Sequence, residues 1–259
     1  MNKETVLITG ASSGIGLELA KCFAADKSRL VLVARNAPAL EKLAAELRRD
    51  HQVEVHVLTA DLAKPESARE VFEQVGRAGF TVDVLVNNAG FGLHGAFAEL
   101  PLPHQLEIMQ VNMTALVALT GLFLPGMVQR RRGGILNVGS VAGFMPGPFM
   151  AVYFATKAFV QSFSEALSVE LHGSGVAVSV LCPGPTETNF SQVARGYRKH
   201  AIQSPKMSAA AVAIAGHRAF RQNQCICVPG ASNKVFTVAP RLLPRALIRK
   251  MVGRVNRLK

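Results

Sequence analysis

Short runs of β-branched and aliphatic residues alternate along this chain with longer segments whose apolar positions recur every three to four residues. The rhythm holds from the first residues to about position 230. An uninterrupted apolar run of four to six residues reads as a strand buried on both faces, as in a parallel sheet, and the longer periodic segments read as helices covering it. The pattern predicts strands near 5–9 (TVLIT), 29–34 (RLVLVA), 53–58, 83–86, 134–139 (GILNVG), 176–181 (VAVSVL) and 225–228. Helices are predicted near 14–26, 38–50, 65–78, 103–131, 151–172 and 208–221. Such alternation defines an α/β fold, a parallel sheet of about seven strands flanked by helices. No internal repeat or low-complexity linker divides it. No run reaches eighteen consecutive uncharged apolar residues, so a membrane-spanning helix is not expected.

Two segments depart from this rhythm. Residues 183–206 mix Pro, Gly, Thr, Ser and basic residues without a period and follow a strand's C-terminal end. Ligands bind at that end of open α/β sheets, so a substrate lid is expected there. Residues 241–259 predict a basic amphipathic helix. At about 100° per residue, Leu247, Ile248, Met251, Val252, Val255 and Leu258 share one arc, with Arg241, Arg245, Arg249, Lys250, Arg254 and Arg257 beside or opposite it. The chain thus reads as a main domain over 1–240 followed by this helix over 241–259. Such a helix suits a peripheral membrane contact, and equally packing on its own domain or on a second subunit.

Charge sharpens the picture. The net charge is +12, yet residues 1–187 hold 15 basic and all 17 acidic residues, and residues 188–259 hold 14 basic residues and no acid. An anionic partner is implied for the C-terminal part, whether lipid surface, phosphate-bearing ligand or nucleic acid. No aromatic stacking motif or recognition-helix signature accompanies the charge, so nucleic acid is not expected. The four cysteines include one C-x-C pair, Cys225 and Cys227, without a second pair at ligand spacing, and the seven histidines make no H-E-x-x-H pattern. No metal site is assigned. Met1 to Glu4 enters a strand almost at once, leaving no room for a secretory signal, and a cytoplasmic location is expected, with peripheral membrane contact if the terminal helix provides it.

Chemistry concentrates at the predicted strand ends. Thr9-Gly10-Ala11-Ser12-Ser13-Gly14-Ile15-Gly16 stands between the first strand and first helix. Glycines there let backbone N–H groups approach a pyrophosphate, and the helix dipole adds attraction. About 20 residues further on, where an acid would hold the ribose of NAD, stand Ala34 and Arg35. A guanidinium without a carboxylate favours a 2′-phosphate, and hence NADP(H).

Asp61-Leu62, Asn87-Asn88-Ala89-Gly90, Ser140 and Tyr153-x-x-x-Lys157 follow at successive strand ends. Together with the TGASSGIG turn these motifs closely resemble the short-chain dehydrogenase/reductase family, over residues 4 to about 230. The resemblance implies a Rossmann-type doubly wound sheet and an NADP(H)-dependent enzyme interconverting a carbonyl and an alcohol. It implies that Tyr153 is the general acid/base and that Lys157 favours its phenolate and binds the nicotinamide ribose. It further implies that Ser140 holds the substrate oxygen and that Asn112 holds a water of the proton relay through its backbone carbonyl. A free phenol with pKa near 10 needs such help at neutral pH. Lys157 stands one helical turn from Tyr153, on the same face.

The same resemblance assigns cofactor contacts to Gly10, Ser12, Ser13, Gly14, Ile15, Gly16, Arg35, Asp61, Leu62, Asn88, Ala89, Gly90, Tyr153 and Lys157. It adds Pro183, Gly184, Thr186 and Thr188 as the segment over the nicotinamide carboxamide, although the family often carries Ile or Val where Pro185 or Thr186 falls. A homodimer or homotetramer is the family's expectation. Phe144, Phe149 and Phe190, with Met145 and Phe91 nearby, are expected beside Ser140 and Tyr153 in an apolar substrate pocket, and core packing accounts equally well for any one of them. A non-catalytic dinucleotide sensor or scaffold is the alternative, disfavoured by the intact Ser140, Tyr153 and Lys157 set.

Overall fold

A computed structural model of the chain describes residues 3–188 and 206–257, the side chain of Arg241 excepted. Strands β1 (Thr5–Thr9), β2 (Arg29–Ala34), β3 (Val55–Thr59), β4 (Val84–Asn87), β5 (Gly133–Val138), β6 (Val176–Leu181) and β9 (Ile226–Cys227) form one parallel sheet. The sheet order is β3-β2-β1-β4-β5-β6-β9. The predicted seven-stranded, doubly wound architecture is therefore present. Between β6 and the last strand a two-residue parallel pair forms, β7 (Thr186–Glu187) with β8 (Met207–Ser208).

Helices α1 (Gly14–Ala25), α2 (Ala37–His51), α3 (Ser67–Arg77), α4 (Leu102–Met109), α5 (Ala115–Gln129), α6 (Ala151–Glu170) and α7 (Ala209–Arg221) wrap the sheet. Strand alternation divides the core between its two faces. Val6, Ile8, Leu30, Leu32, Val84 and Val86 pack on one side with Leu19, Phe23 and Phe220. Leu7, Val31, Leu85, Ile135 and Val178 pack on the other with Val71, Leu119 and Met127. An ionic cluster holds α7 down: Arg221 reaches Glu4 at 2.6 Å and Asp26 at 2.8 Å, and His217 meets Asp26 at 2.8 Å.

Three features correct the expectations. The single helix predicted over 103–131 is α4 and α5 joined by a π turn at Gln110–Thr114. The whole segment Leu102–Gln129 is long and apolar enough to cross a membrane by length and composition. In the fold one side of it packs on the sheet, with Leu119, Phe123 and Met127 buried there, while Leu102, Leu106, Met109, Val117 and Val128 stay exposed. The third concerns the C-terminus, where two helices form, α8 (Ala231–Leu242) and α9 (Arg245–Asn256), so the boundary expected at 240 falls inside α8. Pro244, in extended conformation at φ −55° and ψ 132°, separates them. α8 escaped prediction because its amphipathy is inverted: Asn233 and Thr237 are buried while Val235, Phe236, Val238 and Leu242 are exposed.

Candidate active site

The order of strands reverses between β1 and β4, and a crevice opens where the connections from their C-terminal ends part to opposite faces. Two turns meet there. Gly10 at φ +64° and Gly14 at φ +58° carry the first through conformations that only glycine adopts without strain. Asn88 ties it to the second: its Nδ2 donates to the carbonyls of Thr9 at 2.8 Å and Gly10 at 3.1 Å. In return, Thr9 Oγ1 accepts from the backbone N–H groups of Asn88 and Ala89, each at 3.0 Å. Asn88, expected only as a cofactor contact, therefore also builds the turn. Gly16 was expected to contact the cofactor and does not line the crevice. A methyl group there would overlap the Asn88 amide nitrogen and the Gly10 carbonyl, so this glycine serves close packing.

The crevice is a cavity of about 1110 Å³. Its walls include Gly10, Ser12, Ser13, Gly14 and Ile15 at the start of α1, Arg35 after β2, Asp61 and Leu62 after β3, and Asn88, Ala89 and Gly90 after β4. Pro183, Gly184, Thr186 and Thr188 close it after β6. Arg35 is exposed at the mouth. Asp61 Oδ1 accepts from the Ala63 backbone at 3.1 Å, and its carbonyl accepts from Ser67 Oγ at 2.7 Å, so this acid is held in a fixed turn.

Ser140, Tyr153 and Lys157 line the same cavity. Ser140 stands two residues past the end of β5, and its Oγ accepts from Ala142 N–H at 3.1 Å. Tyr153 and Lys157 stand a turn apart near the start of α6, with Nζ 5.9 Å from the phenol ring centroid. Lys157 is buried and Nζ donates to the Val138 carbonyl at 2.8 Å. Burial disfavours its charged form and lowers its pKa from 10.5 to about 8. The chain after β4 passes so close to the phenol that a methyl on Gly92 would sit 2.9 Å from the Tyr153 ring.

Asn112 lies at the centre of the π turn and is buried, not on a helix surface. Its Oδ1 accepts from Phe91 N–H at 3.1 Å and its Nδ2 donates to the Phe91 carbonyl and to Thr156 Oγ1, both at 3.0 Å. The side chain thus pins the β4 loop to α6. A π turn disturbs the regular i to i+4 pairing of the backbone, as is frequent at functional sites.

The aromatic expectations need correction. Phe144 packs against the cluster of Leu116, Val160, Val180 and Cys182 and does not line the cavity. Phe149, at φ +66°, borders a separate void of about 30 Å³ on the other side of Tyr153. Phe190 lies outside the described residues. Met145 and Phe91 do line the cavity, and so do Met150 and Phe154, which the sequence reading missed. The larger omission is the C-terminal pair: Val235, Phe236 and Leu243 from α8 and its junction, and Ile248, Met251, Val252 and Val255 from α9, form the apolar wall. The helical arc recognised at 241–259 was the available signal, but periodicity does not say which surface an arc faces. Two bonds dock α9: Asn256 Nδ2 donates to the Pro148 carbonyl at 3.1 Å, and His94 Nε2 meets the Asn256 carbonyl at 2.7 Å.

A sequence model described as short chain dehydrogenase matches residues 4–198, and the chain belongs to this family. Mouse dehydrogenase/reductase SDR family member 7B is 37% identical over 194 residues, which cover 74% of this chain and 60% of that protein. The chain thus spans about three fifths of that relative's length in the match. A short-chain dehydrogenase from Sphingobium yanoikuyae, solved in complex with NADPH, superposes with a TM-score of 0.83 at 35% identity, covering 99% of this chain and 96% of that one. The bulky-bulky ketone specific alcohol dehydrogenase from Comamonas testosteroni gives a TM-score of 0.79 at 31% identity, covering 100% and 96%.

Proposed function

We propose that this chain is an NADP(H)-dependent oxidoreductase interconverting a ketone or aldehyde and its alcohol on a hydrophobic substrate. One observation carries the reading: Ser140, Tyr153 and the buried Lys157 share a single cavity with a glycine cradle that added side chains would fill. The residues present fit the cofactor. Backbone N–H groups at the start of α1 suit a pyrophosphate, and Arg35 beside Ala34 suits a 2′-phosphate. Bound NADPH supplies a hydride to the carbonyl carbon. The NADPH complex of the Sphingobium relative agrees with this choice.

The protein's part is the proton. Tyr153 gives its phenolic proton to the substrate oxygen in reduction and takes it back in oxidation. Lys157 favours the phenolate through its positive charge, and Ser140 donates a hydrogen bond to the developing alkoxide. Ser140 Oγ contacts the Pro183 carbonyl at 3.4 Å, so its hydroxyl hydrogen can turn toward substrate at small cost. Residues of α8 and α9 surround the opposite side with aliphatic groups, which exclude water and favour a substrate with a large apolar body. The bulky ketones in the Comamonas relative's name are in keeping with that wall.

The test is NADPH oxidation with a panel of aliphatic and aromatic ketones and aldehydes. Wild type should turn over apolar members, and Tyr153→Phe should lose about 10² to 10⁴ of kcat while still binding NADPH. Full activity in that variant would overturn the mechanism.

A further inference from the structure

The last two helices divide apolar and cationic surface between them. At about 100° per residue, Val235, Val238 and Leu242 fall together on α8, opposite the buried Asn233 and Thr237. Leu242 is 80% and Val235 66% exposed, so this apolar face looks outward. On α9 the buried side is marked by Ile248 and Asn256, and Lys250 and Arg254 fall opposite. The helices are adjacent, joined through Leu243 and Pro244, and both wall the cavity. An apolar outward face on one helix is thus followed, across Leu243 and Pro244, by a cationic outward face on the next, on a part of the chain that holds no acidic residue from 188 onward.

We propose that the α8–α9 pair docks on an anionic membrane surface, Val235, Val238 and Leu242 entering the headgroup boundary and Lys250 and Arg254 meeting lipid phosphates. Apolar burial and attraction to anionic lipid act together in such a contact. A second copy is a poorer occupant. A two-fold contact would set this face against itself, bringing like-charged helices together with no carboxylate from this region to neutralise them. Val235 belongs both to the outward face and to the cavity wall, so apolar surface continues from the docking face into the cleft. On the carbonyl-oxidoreductase reading, which this last consequence rests on, the docked mouth admits substrate dissolved in lipid. The docking itself stands independently of that reading.

Flotation of the full chain with vesicles of phosphatidylcholine alone and of phosphatidylcholine with phosphatidylserine tests the proposal without any turnover. Substitutions are preferable to truncation, because Ile248 and Asn256 are buried and removing α9 would open the cleft. The wild type should float with the anionic vesicles and not with the neutral ones. The pairs Lys250→Glu/Arg254→Glu and Val238→Asp/Leu242→Asp, none of which lines the cavity, should each lower partitioning at least ~10-fold. Both should keep wild-type circular dichroism and NADPH affinity. Equal partitioning to the two vesicle types overturns the proposal. So does an unchanged Val238→Asp/Leu242→Asp variant, which would leave a purely electrostatic polyanion contact such as nucleic acid. A dimer dissociated by the same substitutions, with no vesicle binding in the wild type, would assign the face to a second copy.

Discussion

Thr156 takes a hydrogen bond of 3.0 Å from Asn112 Nδ2 and passes one of 2.7 Å to the carbonyl of Tyr153. Residues 44 apart in sequence are thereby joined, and the π turn is coupled to the helix that presents the phenol. Thr156 does not line the cavity. Its expected role is to position Tyr153. Thr156→Val preserves shape and removes both bonds, so kcat should fall roughly 10-fold while the NADPH dissociation constant stays the same. Stability should fall by about 1–3 kcal/mol, because the buried Asn112 donor loses a partner. Steady-state kinetics beside urea denaturation would separate the two effects, and an unchanged kcat would remove the positioning role.

Lys157 is held at a cost to stability. Its folded pKa, about 8, lies below the ordinary 10.5, so the folded state binds its proton more weakly than the unfolded chain. The penalty is fully present below pH 8 and fades as pH rises from 8 to 10.5. At 1.36 kcal/mol per unit the gross effect is on the order of 3 kcal/mol, offset in part by the bond to Val138. Lys157→Met should therefore be inactive yet more stable than wild type by about 1–3 kcal/mol at pH 7. That advantage should shrink at pH 10. Denaturant titrations of both proteins at the two pH values check the sign, and a less stable variant at pH 7 would contradict it.

Arg35 lines the cleft directly after β2, and no acidic residue precedes it at position 34. Arg35→Ala should weaken NADPH binding by about 1.5–3 kcal/mol, the worth of hydrogen bonds to a charged group, and leave NADH nearly unaffected. Fluorescence titration of both nucleotides reads the change in preference. Equal losses for the two would assign Arg35 a structural role.

Gly16 offers a test of the turn's packing. Its missing Cβ leaves room for the Asn88 amide and the Gly10 carbonyl, the latter 2.5 Å from where a methyl carbon would stand. Since one neighbour is backbone, α1 must shift. Gly16→Ala should cost about 1–3 kcal/mol by overpacking and raise the NADPH dissociation constant, although the side chain lies outside the cavity. Thermal unfolding with and without NADPH measures both.

Much of the molecule was legible in order of sequence. Apolar runs such as Val6 to Ile8 and Leu30 to Val33 are buried on both faces, so their composition alone marks them as strands of a covered parallel sheet. The glycine turn, Asn88, Ser140, Tyr153 and Lys157 were readable because each stands at a strand end or helix start, where a local pattern fixes its place. The sheet then brings these positions together, since all its strands run the same way.

The substrate wall was not legible in the same manner. Phe144 and Phe149 were chosen by proximity in sequence, but rotation of the backbone near each sends one ring into the core and the other behind Tyr153. Conversely, α8 and α9 reach the cavity from positions more than 70 residues beyond the phenol, and α8 hides its role by burying Asn233 and Thr237. Sequence alone determined the sheet and the glycine turn, because the alternation of apolar residues and short-range geometry specify them, and its motifs singled out Ser140, Tyr153 and Lys157 through their resemblance to a family. Only the tertiary structure decided which apolar faces close the cleft and which look outward, because that depends on what each helix meets after the chain has folded back on itself.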